Sequence, residues 1–103
     1  MGLSKEALRI LKKQIQANAD MFYQQNNKEA FELFGKLLNE ISTLSVQIFE
    51  LKNSNPAVEF DENKYLSILT DAMNALESRD EVLLADIINY DLLEILETVE
   101  KQL

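Results

Sequence analysis

Apolar residues recur at three- and four-residue steps along most of the chain, the spacing of one helical face, and no segment alternates as a half-buried strand would. The pattern predicts four helices, over residues 4–24, 28–52, 62–77 and 80–102. The second has the widest stripe. Phe31, Phe34, Leu37, Leu38, Ile41, Leu44, Ile48 and Leu51 fall on one side, opposite Glu32, Lys36, Glu40, Gln47 and Glu50. At 100° per residue that arc spans about 160°, enough to meet two neighbours. The first helix has a narrower stripe of Leu8, Leu11, Ile15, Ala19 and Phe22, with Ser4 placed to cap it. Leu3, Ile10, Ala17 and Met21 line up nearly opposite, so this helix is either covered on both sides or forms a subunit contact.

The third helix starts at Asp61, whose carboxylate can cap free N–H groups while Phe60 and Tyr65 stand in the staple positions. Leu66, Leu69, Met73 and Leu76 are its expected core face. Ser78 and Glu81 have capping-box spacing and Asp80 offers an alternative cap, which separates the third helix from the fourth. The fourth has one arc of Leu84, Ala85, Ile88, Leu92, Ile95, Leu96, Val99 and Leu103, and a second of Leu83, Ile87 and Tyr90. Asp91 falls at the seam between the arcs, where a carboxylate needs a partner, and a Lys or Arg of the first helix is the simplest one.

Short connections between amphipathic helices favour an all-α, antiparallel up-down four-helix bundle occupying residues 1–103 as one domain. The first and fourth helices are then neighbours, with Lys5, Arg9, Lys12 and Lys13 facing Asp86, Asp91, Glu94 and Glu97. No Gly or Pro enforces the break near residue 79. The alternative is three helices with a long C-terminal one, an arrangement that demands a dimer.

Composition narrows the chemistry. Among 103 residues there is neither Cys nor His, which removes thiolate nucleophiles, imidazole bases, disulfides and His-dependent metal sites. Glu94, Glu97 and Glu100, with Asp91, could offer oxygen ligands to a hard cation, but the turn geometry of a Ca²⁺ site is missing and a solvated acidic face is the simpler account. No Gly-rich phosphate loop is present, and no base stands near Ser42, Ser45 or Ser67 in sequence. The expectation is a non-enzyme without a cofactor.

The net charge of −8 repels phosphates and anionic lipid, so neither nucleic acid nor membrane is an expected partner. All of the excess lies in residues 52–103, which hold four bases and twelve acids. No run of about 18 apolar residues exists, and a cytoplasmic location is expected. Met1-Gly2 opens like an acylation site, but Glu6 stands where Ser or Thr is wanted.

From Ala75 onward, Asp80, Leu84-Ala85-Asp86, Ile88 and Tyr90-Asp91-Leu92 resemble the C-terminal signature of small uncharacterised helical-bundle proteins of Gram-positive bacteria. The resemblance implies a helical bundle with no known enzymatic activity and an association with motility or secretion. The overall build is similar to that of flagellar export chaperones, short bundles that cradle an amphipathic partner helix.

The expected function is a non-catalytic, homo-oligomeric adaptor or chaperone-like bundle that grips a helical or basic segment of another protein by helix-in-groove contact. Leu3, Ile10, Met21, Leu83, Ile87, Tyr90, Asp91 and Glu94 are the expected partner-binding residues. The 53–61 connection is most simply a loop, with Val58 and Phe60 expected at its surface, and a partner-binding tip is the alternative reading. Two alternatives belong to other classes: an acidic mimic of nucleic acid that blocks a basic protein, and a metal-binding or hydrolytic bundle.

Overall fold

A computed structural model describes residues 3–103, so the acylation-like Met1-Gly2 opening lies outside the described residues. Four helical rods follow one another: α1 (Lys5–Tyr23), α2 (Asn27–Ser54), α3 (Glu62–Glu77) and α4. The last begins as Glu81–Asp86, widens into a π-helical stretch at Ile87–Leu92 and ends as Leu93–Glu100. The fold is an all-α four-helix bundle.

Three of the four starts are set by a side-chain cap, α2 following Asn26 without one. Ser4 Oγ accepts from the Ala7 N–H at 3.3 Å, Asp61 Oδ1 from the Lys64 N–H at 2.9 Å, and Asp80 Oδ1 from the Leu83 N–H at 3.1 Å. The stops of α1 and α3 share one device. Gln25 (φ 64°) and Arg79 (φ 56°) take the left-handed conformation, and the next residue's N–H reaches back across the last turn, from Asn26 to the Met21 carbonyl and from Asp80 to the Ala75 carbonyl. This reversal at Arg79 breaks the chain between α3 and α4 without Gly or Pro, and excludes one long C-terminal helix.

Packing is uneven around the bundle. α1 lies close along both α2 and α4, α3 lies close along α4, but the backbones of α2 and α3 stay apart. Long side chains span that gap. Phe49, Phe60 and Tyr65 meet with ring centroids 5.2–6.1 Å apart at one end, and the Arg79 guanidinium lies 4.6 Å over the Phe31 ring at the other. Between α1 and α2, Phe22 meets Phe31 edge-on at 4.9 Å, and the buried Asn18 amide donates to the Ala30 carbonyl at 2.9 Å.

Every residue of the α1 stripe is buried, as are Phe34, Leu37, Ile41, Leu44 and Ile48 of α2. On α3 the core face differs from expectation. Tyr65, Ile68, Ala72 and Ala75 are buried, Leu69 and Leu76 are half-buried, and Leu66 and Met73 are 50% and 42% exposed. The larger aliphatics lose this competition because the Tyr65 hydroxyl finds Ser45 inside, while Ala72 and Ala75 let the backbone approach α4.

The 53–61 connection is also corrected. Val58 and Phe60 are buried, because Lys52 Nζ donates to the Val58 carbonyl at 2.6 Å and folds the loop back. Gln102 brackets Glu59 from the far end of the chain, accepting its N–H at 2.6 Å and donating to its carbonyl at 2.7 Å.

Candidate functional site

The sequence-predicted binding residues divide into three groups. Ile87 is buried on the α3 side of α4, and Leu3 and Met21 are half-buried against the core, so none of these three presents the open apolar surface expected of it. Ile87 is covered by the approach of α3, whereas the second stripe of α1 is covered only at its two ends, at Leu3 and Met21, with Ile10 and Ala17 between them exposed. Ile10 and Tyr90 are exposed, at 51% and 62%, but on different parts of the surface. Leu83, Asp91 and Glu94 join residues that sequence reasoning did not assign to a site.

They line the groove between α3 and α4. Near the α3–α4 turn, Asp71, Asn74 and Ser78 face Leu83, Ile87 and Asp91 across a depression of about 350 Å³. Toward the other end of α3, Lys64 together with Glu59 and Asp61 of the preceding connection faces Glu94, Ile95 and Thr98 across one of about 400 Å³. The floor is apolar, formed by buried Ala75, Ile87, Phe60 and Ile95, and Leu83 stands 47% exposed on the rim. The walls carry five carboxylates, Glu59, Asp61, Asp71, Asp91 and Glu94, against one ammonium, Lys64.

None of the five is in an ion pair among the described residues, whose salt bridges all go to Glu100. The pairing expected between Asp91 and a base of α1 is not made. Arg9 Nε and Lys12 Nζ instead donate to Glu100 at 3.0 and 2.8 Å, and these bonds hold its carboxyl below the usual carboxylate range. Asp91 is exposed, so solvation replaces the partner that a buried carboxylate would require.

On the opposite flank of α4, the Tyr23 hydroxyl donates to Asp86 Oδ1 at 2.5 Å. Desolvation first, then this bond, pushes the phenol up to about 12. Tyr90 lies close by in the π-helical stretch, a type of turn that recurs at functional sites.

Chemically the groove offers carboxylates to cationic groups and an apolar floor to hydrocarbon. Its polar groups are carboxylates, an asparagine, two hydroxyls and one lysine. No group of three potential metal ligands occurs among the described residues. No described helix is long and apolar enough to cross a membrane. The contribution of Asp71 escaped sequence reasoning because it depends on how α3 is rotated, and those of Glu59 and Asp61 because they depend on how Lys52 and Gln102 fold the preceding loop back. The available signal was the run Tyr65, Ile68, Ala72, Ala75, which has the same helical spacing as the run of larger residues.

No curated protein and no solved structure matches the chain. A family model does, over residues 3–102, and the chain belongs to that family, described as domain of unknown function DUF8042.

Proposed function

We propose that the protein is a non-catalytic binding module whose α3–α4 groove holds a basic amphipathic segment of a partner protein. One observation carries this: five carboxylates without salt-bridge partners flank an apolar floor, with Leu83 half-open at the rim. A helix with one apolar face and flanking Lys or Arg satisfies both features at once. Its apolar face covers Leu83, and its cations lie between Asp71 and Asp91 on one stretch and beside Glu94 on the next. The overall charge of −8 steers such a segment toward the protein and makes association sensitive to salt. An adaptor or chaperone-like role in motility or secretion, a cytoplasmic setting, and self-association through Ile10 or Tyr90 are proposed extensions of the same reading.

A synthetic helix with a leucine face and lysine flanks, labelled for fluorescence anisotropy, tests this. Binding is expected to weaken at least tenfold in Asp71→Lys/Asp91→Lys and several-fold in Leu83→Ser, with the Glu-flanked version of the peptide not binding. Unchanged affinity in the charge-reversed variant overturns the proposal. Loss on charge reversal but full binding in Leu83→Ser would favour an acidic mimic of nucleic acid, which needs no apolar contact.

A further inference from the structure

The gap between α2 and α3 holds a pocket of about 180 Å³, backed by α4 on its inner side and open to the surface beside Ser42 and Met73. Its origin is steric. The aromatic trio at one end and the Phe31–Arg79 stack at the other prop the two helices apart, while the middle is furnished with small residues, Ser42 and Ser45 on α2 and Ala72 on α3. Phe34, Leu69, Ile88 and Leu92 supply apolar wall, and no charged residue lines the space.

Of the two serine hydroxyls at the wall, that of Ser42 is exposed at the mouth and is met by solvent there, and only that of Ser45 lies inside. Ser45 Oγ donates to the Ile41 carbonyl at 2.7 Å and so accepts from the Tyr65 hydroxyl at 2.5 Å, which consumes the serine and the phenol together. Water enters a cavity when several polar groups need it, whereas apolar voids on the order of 150 Å³ stay dry and take up benzene or xenon. The lip is formed by Met73, exposed and carried on an unbranched, three-torsion side chain that can swing aside.

We propose that this cavity is a receptor site for a small uncharged apolar molecule, a single aromatic ring or a hydrocarbon of similar bulk, which enters past Met73. The site is separate from the acidic groove: it lies on the other side of α3 and shares none of the groove's lining residues. Selection is by volume and by the absence of a counter-ion, so an anionic analogue of the same ring is rejected. Occupation ties α2 to α3 along a seam where their backbones are not closely packed, and therefore raises the thermal midpoint.

Titration of the full chain with benzene and with benzoate, followed by methyl NMR and thermal unfolding, tests this. Benzene is expected to shift the methyl signals of Leu69, Met73, Ile88 and Leu92 saturably and to raise the midpoint, with benzoate at least tenfold weaker. Ala72→Leu fills the space and is expected to abolish the shifts. Should that variant not fold, Ser42→Leu at the exposed lip serves the same purpose. Failure of benzene to move these methyls overturns the proposal, as does binding that survives in the filled variant or that benzoate matches.

Discussion

The seam between α1 and α4 and the seam between α2 and α3 are built from the same kinds of residue and come out differently. Along α1–α4 the backbones run close, and each helix buries an alanine completely, Ala19 and Ala85. Polar ties close both ends, Glu100 to Arg9 and Lys12 at one and Tyr23 to Asp86 at the other. Along α2–α3 there are small residues too, but the ends are propped by rings and a stacked guanidinium. Small side chains bring helices together only where nothing at the ends holds them apart; otherwise they leave space.

Truncation of a fully buried leucine should separate the two seams most sharply. Leu96→Ala, at a site with no room to collapse, is expected to cost about 3 kcal/mol, whereas Leu69→Ala at the wall of the gap should cost less than half as much. Urea midpoints for the pair check this, and equal losses would mean the gap is as tightly packed as the closed seam. Next in size is the hydroxyl pair that ties α2 to α3 across the gap. Ser45→Ala leaves the buried Tyr65 hydroxyl without its acceptor and should cost about 1–2 kcal/mol, and adding Tyr65→Phe should recover part of that loss.

The smallest effects belong to the polar ties of α1–α4 and are read through pH. Glu100 has a lowered pKa, so its contribution is complete above the usual carboxylate range and is lost as pH falls through its folded-state value. Tyr23 is the reverse case. Raised from 10.0 to about 12, it contributes fully below 10.0 and loses that contribution as pH climbs toward 12. Stability profiles of Glu100→Gln and Tyr23→Phe should therefore flatten at the acid and the alkaline end respectively.

Much of the fold is legible in the sequence because it is decided locally. The three caps, the staple of Phe60 on Tyr65 and the faces of α1 and α2 depend on residues within two turns of one another. The face of α3 is not decided locally. Leu66–Leu69–Met73–Leu76 and Tyr65–Ile68–Ala72–Ala75 have the same helical period, and the choice between them rests on Ser45, twenty residues upstream of Tyr65. That choice also builds the candidate site, because it turns Asp71 toward Asp91 and puts Met73 at the lip of the gap. Val58 and Phe60 escape for a related reason: the bonds that fold their loop inward come from Lys52 and Gln102, and no local pattern announces them.

The widened turn in α4 bears on how sequences of this family should be lined up. A π turn accommodates one residue more than an α turn of the same height, so Ile87–Leu92 behaves as an insertion carried inside a helix rather than in a loop. A member of the family lacking that extra residue and continuing as a regular α-helix would align with a one-position gap here, and everything beyond it would keep the same orientation about the rod as in this chain. Asp91 and Glu94 straddle the end of that stretch, so the acidic wall keeps its place only because the wide turn absorbs the additional residue.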